Sequence, residues 1–146
     1  MLEWFQMAEI RTPAKSAKYY ISKQKFLTAR HFCLQYSERR DEYSALSRGD
    51  ISGINYDGMP HGSTVGNPTE AKAIRLEELS RKISLIEQTA IEAGEDIAEW
   101  ILKSVTSEDV TFYYLKTVMN IPCEKDMYYD RRLSSTRKLT FHGTAL

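Results

Sequence analysis

A heptad seam runs through the middle of this sequence. Between residues 76 and 100, apolar side chains recur in an unbroken alternation of three- and four-residue steps, at Leu76, Leu79, Ile83, Ile86, Ala90, Ala93, Ile97 and Trp100. This spacing places all of them along one side of an α-helix. Asn67 as N-cap, Pro68 at the first helical position and Glu70 three residues after the cap predict where that helix begins.

The apolar side of such a helix must be covered. From residue 69 to residue 93 the helix would be about 37 Å long at ~1.5 Å per residue. Two covers remain open from the sequence: the first helix of the chain folded back antiparallel, or the same helix of a second copy, which would form a homodimer. The predicted fold class is all-α, with a long helical hairpin or coiled-coil stalk followed by a small C-terminal head.

The N-terminal third of the chain predicts that first helix. Thr12 and Pro13 suit its start, and no further proline or glycine interrupts the chain before Gly49. A three-four spacing, broken at Arg40, predicts its apolar stripe: Phe26, Ala29, Cys33, Tyr36 and Tyr43. We therefore expect one helix of about thirty residues.

Glycines and prolines divide the rest of the chain. Residues 49–68 hold five of the seven glycines and two of the four prolines, which excludes a regular helix or strand and predicts a linker. Gly94 predicts a kink or break that ends the heptad helix. The expected organisation is an N-terminal helical segment at 1–48, the linker at 49–68, the heptad helix at 69–93, a head at 94–138 and a tail at 139–146.

The net charge is zero, but the charges are unevenly distributed. Residues 11–48 hold nine Lys/Arg against three acids, residues 49–110 hold five against twelve, and residues 111–146 hold six against three. Two basic ends around an acidic middle can form local cationic surfaces on a chain that is neutral overall.

The compartment is predicted from what the sequence lacks. No stretch approaches the ~20 apolar residues of a membrane span, and the acidic start MLEWFQMAEI does not have the pattern of a signal peptide. Cys33 and Cys123 lie far apart and outside any metal-ligand spacing, so two free thiols in the cytoplasm are expected.

A second feature is the segment VMNIPCEKDMYYDRR at 118–132. Thr106 or Ser107 suits the N-cap of the helix before it, and that helix has Phe112, Leu115, Val118 and Met119 on one face. Asn120 tolerates the left-handed conformation that ends helices, Ile121 can fill the space between two helices, and Pro122 can begin the next one.

A helix, a three- to four-residue turn with an apolar plug and a second helix form the layout of a helix-turn-helix. The second helix, at about 122–132, would then lie in the major groove of DNA. Lys125, Tyr128, Arg131 and Arg132 are expected to face outward, with Met127 and one tyrosine directed inward. The alternative is an ordinary corner of a helical bundle, with YYDRR as a solvated face.

The order of these segments resembles phage late-gene transcriptional regulators of the RinA/ArpU type and related proteins of Firmicute prophages and mobile elements. The resemblance covers roughly residues 30–132 and rests on GMPHGSTVGNPTEAKAIRLEEL and TFYYLKTVMNIPCEKDMYYDRR. In that family the terminal part is similar to the promoter-reading domain of sigma factors, with a helix-turn-helix. Thr111, Phe112, Leu115, Met119, Asn120 and Ile121 match the family pattern, whereas Pro122 stands where serine is usual.

The resemblance implies sequence-specific binding of double-stranded DNA and transcriptional regulation, with RNA polymerase as a further partner to test and no cofactor, metal or enzymatic step. The residues expected to contact DNA are Thr111, Lys116, Lys125, Tyr128, Tyr129, Arg131 and Arg132. The expected helix-turn-helix core is Phe112, Leu115, Met119, Asn120, Ile121, Pro122 and Met127. One departure is the polar stretch after Arg132, which lacks a helical apolar stripe and predicts a frayed C-terminal end.

The sequence also bears on two other function classes. The seam, with Leu76, Leu79, Ile83, Ile86, Ala90, Ile97 and Trp100, also suits a coiled-coil interaction or assembly protein without DNA binding. An enzyme is not expected, because His31, His61 and His142 lie on separate segments and the chain has no Gly-rich phosphate loop ending in Gly-Lys-Ser/Thr.

Overall fold

The computed structural model describes residues 20–49 and 68–142, and within these ranges the secondary structure is helical, without a strand. The predicted all-α class is therefore confirmed. The helices are α1 (Lys23–Leu34), α2 (Tyr36–Arg48), α3 (Pro68–Ala93), α4 (Ala98–Val105), α5 (Phe112–Thr117) and α6 (Lys125–His142), with a 3₁₀ turn at Glu95–Ile97.

The helices α2 and α3 form an antiparallel hairpin. The hydroxyl of Tyr36, at the start of α2, donates to Glu87 at 2.5 Å, and Glu42, further along α2, pairs with Arg75 at 2.7 Å. The partner number on α3 falls as the number on α2 rises, so the two helices run in opposite directions. Of the two covers left open by the sequence, the structure uses the first segment of the same chain.

The seam of α3 faces the interior over most of its length. The seam residues that the structure buries are Leu79, Ile86, Ala90, Ala93 and Ile97, while Leu76, Ile83 and Trp100 are half-buried. Helix α2 contacts α3 between Arg75 and Glu87, and α6 also packs on α3 and reaches its last residue, Ala93. The apolar stripe that would join two chains is thus occupied by the chain's own helices.

The single N-terminal helix predicted from the sequence is wrong, because it breaks at Gln35 into α1 and α2. Arg39 stabilises the break: its guanidinium donates to the carbonyl of Phe32 at 2.8 Å and to the Gln35 side chain at 2.6 Å. The break allows α2 to follow α3 while α1 contacts α4 and α6. Ala29, Cys33 and Tyr36 are buried as predicted, but Tyr43 is exposed.

The two glycine boundaries are each explained by local geometry. Gly49 ends α2 in the left-handed conformation, at φ 74°, and its N–H bonds to the carbonyl of Leu46 at 3.2 Å. Gly94 follows the last residue of α3 and precedes the 3₁₀ turn, so the predicted break is confirmed. The proposed N-terminal start at Thr12 and Pro13, and the linker from residue 50 to residue 67, lie outside the described residues.

Helix α6 lies between α1 and α3 and also contacts α4. The frayed end predicted after Arg132, and the tail predicted from residue 139, are wrong as far as His142, because α6 continues to that residue. Its buried side includes Ser134, Ser135 and Leu139. Burial here does not depend on an apolar stripe, since two of the three positions are filled by small hydroxyl side chains; a pattern of apolar residues alone does not reveal such a face.

The covered seam predicts the effect of a paired substitution on α3. Leu79→Ala, at a side chain only 1% exposed, should lower the free energy of unfolding by about 2–5 kcal/mol, because it leaves a cavity beneath α2. Ile74→Ala, on the same helix but 60% exposed, should change it by less than about 0.5 kcal/mol. Urea unfolding followed by circular dichroism measures both, and equal losses would contradict an intramolecular seam.

Candidate nucleic-acid interface

The corner after α5 begins with a capped helix. Thr111 is its N-cap, and the side-chain oxygen accepts a hydrogen bond from the Tyr114 N–H at 3.2 Å. The predicted cap at Thr106 or Ser107 is wrong, because α4 extends to Val105 and the Thr106 hydroxyl donates instead to the Leu102 carbonyl at 2.7 Å. The side-chain oxygen of Thr111, a residue expected to contact DNA, therefore caps α5.

The corner itself has the predicted conformation. Asn120 adopts a left-handed backbone with φ 52°, and Ile121 is buried. The Ile121 N–H bonds back to the carbonyl of Leu115 at 3.0 Å, and the indole N–H of Trp100 donates to the Met119 carbonyl at 2.9 Å. The end of α5 is therefore held by α4 as well as by its own backbone.

The second helix of the corner begins later than predicted. Helix α6 starts at Lys125 rather than Pro122, so seven residues, 118–124, separate it from α5. Pro122 is exposed and Cys123 is buried, and the Cys123 carbonyl accepts a bond from Lys116 Nζ at 3.4 Å. Residues 122–124 therefore extend the turn instead of beginning the second helix. Val118, predicted on the inner face of α5, is exposed.

Tyr128 does not face solvent, in contrast to the prediction. Its side chain is 0% exposed, its hydroxyl shares a hydrogen bond with that of Ser104, and its ring lies 5.3 Å from that of Phe112, centroid to centroid. Met127, predicted to be directed inward, is exposed. The inner face of α6 is therefore offset by one residue from the predicted one, since Tyr128 and not Met127 fills the space under the corner.

Arg131 is also directed into the protein. Its Nη1 donates to the carbonyl of Ala93, the last residue of α3, at 2.7 Å. A Cβ atom added to Gly94 would lie 3.2 Å from the same Nη1, so the neighbouring glycine leaves room for the guanidinium. The prediction that Arg131 faces outward is wrong, because the side chain satisfies a carbonyl at a helix C-terminus.

The other predicted contacts lie at or near the surface. Lys125 and Tyr129 are exposed, and Arg132 is half-buried beside α1. Lys116 is exposed, with its Nζ 3.7 Å from the Glu124 carboxylate. Of the predicted helix-turn-helix core, Leu115 and Ile121 are buried, Phe112 and Met119 are half-buried, and Pro122 and Met127 are exposed. The predicted core is therefore confirmed at Leu115 and Ile121 and wrong at Pro122 and Met127.

The fold brings the two basic ends of the sequence together. Helix α1 contains Lys23, Lys25 and Arg30 and no acid, which gives it a net charge of +3. Helix α6 contains five Lys/Arg against Asp126 and Asp130, also +3, and it packs against α1. The corner alone is not basic, because residues 111–130 hold two lysines against three acids. The cationic surface therefore belongs to the α1–α6 pair, which sequence reasoning missed because it treated the two ends separately.

No protein-family model, curated protein or solved structure matches this chain. Within residues 20–49 and 68–142, no helix has the length and apolarity to cross a membrane. The same residues contain no cluster of three or more His, Cys, Asp or Glu side chains arranged to hold a metal ion.

The left-handed corner predicts opposite results for two substitutions of Asn120. Asn120→Ala should lower the free energy of unfolding by about 1–2 kcal/mol, because a Cβ-bearing residue without a local hydrogen-bonding side chain is strained at positive φ. Asn120→Gly should leave it nearly unchanged, because glycine adopts this conformation freely. Thermal unfolding of both variants tests the corner, and a more damaging glycine than alanine would contradict it.

The bond from Arg131 to Ala93 predicts a structural role for that side chain. Arg131→Ala should lower the free energy of unfolding by about 1–2 kcal/mol, since bonds from charged groups contribute up to roughly 3 kcal/mol and this one is partly exposed. Lys125→Ala, on an exposed side chain of the same helix, is the control and should cause no comparable loss. Equal stabilities in urea would show that Arg131 is not anchored to α3.

Proposed function

We propose that this protein is a transcriptional regulator that binds double-stranded DNA through the face formed by α1 and α6. The observation that carries the proposal is the pairing of these two helices, each with a net charge of +3, in a chain whose total charge is zero. A concentrated cationic face of this kind attracts the phosphate backbone and releases counterions. The corner at Asn120 and Ile121 supports the same proposal, because it joins α5 to α6 in helix-turn-helix order.

The contact residues differ from those expected from the sequence alone. Lys125 and Tyr129 project from the first turns of α6, the part of a recognition helix that usually reaches base edges. Arg132 and the cations of α1 supply phosphate contacts beside them. Tyr128 and Arg131 are assigned to the protein's interior and do not contact DNA in this proposal.

The two aspartates of α6 limit which bases the helix can read. Asp126 and Asp130 are exposed on α6, where they would repel phosphates. A carboxylate in the major groove can instead accept a hydrogen bond from the amino group of cytosine. In this proposal the binding of DNA is sequence-specific. Arginines and the lysines of α1 contact phosphates, and residues near the start of α6 contact bases.

A protein-interaction module without DNA binding is the second candidate. It is favoured by the exposed apolar surface of α5, where Tyr113 is 77% and Val118 is 59% exposed. Under the first proposal this surface would contact RNA polymerase, and under the second it would be the main binding surface. The seam of α3 is less suitable than α5 as a binding surface for another protein or for a second copy of the chain, because its central residues are already buried.

Binding to a random duplex pool at two salt concentrations tests the first proposal. We expect enrichment of one sequence motif and an affinity that falls with salt. Arg132→Ala should reduce the log–log salt slope by about 0.9 if its side chain makes one phosphate contact. Arg81→Ala is the matched control, because Arg81 is exposed on the side of α3 opposite its seam.

Three outcomes separate the candidates. Retention without an enriched motif would leave only generic charge attraction and contradict sequence-specific reading. No retention of any duplex would contradict DNA binding and favour the interaction module. An equal loss of slope in Arg81→Ala and Arg132→Ala would show that the α1–α6 face is not the contact surface.

A further inference from the structure

A cleft of about 590 Å³ opens between α1 and α6, next to the C-terminal end of α4. Its walls are formed by side chains of α1, of the end of α4 with Ser107 after it, and of α6. Its volume lies in the range of about 300–1,000 Å³ that is usual for sites of small organic ligands.

The cleft is lined by cations. Among the described residues, Arg30, Lys125 and Arg132 line it, and no aspartate or glutamate does. Within the described residues, none of these three side chains forms an ion pair. Positive charges that line one cleft repel one another, so an anion bound between these three side chains would stabilise this part of the fold.

The acids nearest in sequence do not supply the missing charge. Helix α1 contains no acid, and neither Asp126 nor Asp130 of α6 lines the cleft. Cys33 does not supply it either, because burial raises the pKa of its thiol to about 12 and keeps the sulfur neutral at physiological pH.

The rest of the wall is mainly apolar. Phe26, Leu34, Val105 and Leu133 offer aliphatic and aromatic carbon, and the ring of Tyr129 is exposed at the α6 side. An inorganic anion would satisfy the cations but leave this carbon surface uncovered. An apolar molecule would cover the carbon surface but leave the cations without a partner.

We propose that the cleft between α1 and α6 binds a small organic anion, with an apolar or aromatic body against Phe26 and Leu133 and an acidic group held by Arg30, Lys125 and Arg132. The chemistry fixes the class of ligand: one carboxylate, sulfonate or phosphate attached to an apolar body small enough for the cleft. This assignment rests on the geometry and charge of the cleft and does not depend on DNA binding.

The probe for the experiment is 8-anilinonaphthalene-1-sulfonate, which has an aromatic body and one sulfonate and fluoresces when it leaves water. Titration of the intact chain should give a saturable signal for one site. Arg30→Gln and Arg132→Gln should each weaken binding about three- to tenfold, because each removes one charge-assisted contact to the sulfonate. Arg81→Gln, a matched loss of one exposed arginine on α3, should leave the affinity unchanged within about twofold.

Uncharged N-phenyl-1-naphthylamine provides the control for the acidic group. Its affinity should change less than about twofold in Arg30→Gln and Arg132→Gln, since it has no anion to lose. Thr136→Trp, which places a large ring at the cleft wall, should weaken both probes about tenfold or more. Urea midpoints equal to that of the parent chain ensure that the signals come from folded protein.

The proposal is overturned if the parent chain gives no saturable signal, or if Arg81→Gln weakens the sulfonate as much as Arg132→Gln does. It is also overturned if the neutral probe loses as much affinity as the anionic one, since that would assign the cleft to apolar ligands. Saturable, arginine-dependent binding of the sulfonate by a chain that retains no duplex would support the cleft and contradict only the DNA-binding proposal.

Discussion

The burial of Tyr128 is the constraint on which the arrangement of the C-terminal half depends. Its ring lies under the corner against Phe112 of α5, and its hydroxyl is bonded to Ser104 of α4. One side chain of α6 thereby joins three helices. With Tyr128 directed inward, Asp126 and Tyr129 must project elsewhere on the helix, and Arg131 comes within reach of the end of α3. The surface that α6 presents therefore follows from what it buries.

The sequence was sufficient to predict the conformation where that conformation depends on interactions within a few residues. The heptad spacing identified the buried side of α3, Gly94 marked its end, and Asn120 with Ile121 marked the corner. Each of these signals arises within a few residues, from a helical period, a residue without a side chain or a residue tolerant of positive φ. The choice between a second copy and the first helix as cover was beyond the sequence, because both would bury the same stripe.

The candidate site was less predictable, because its geometry depends on contacts between distant segments. The break at Gln35 is stabilised by Arg39 and has no glycine or proline to announce it. The extent of α6 was missed because serines occupy its buried face, and the offset between Met127 and Tyr128 follows from the late start of that helix at Lys125. The cationic face arises only when α1 packs beside α6, although 90 residues separate their last and first residues, Leu34 and Lys125.

The attachment of Arg131 to the carbonyl of Ala93 has a consequence for recognition. Together with Tyr128, it fixes α6 at two points on its inner side, so the helix cannot turn about its own axis without breaking a buried contact. Its outward residues are thus oriented before any partner arrives. A preorganised helix of this kind loses little conformational entropy on association, and more of the interaction energy remains as affinity.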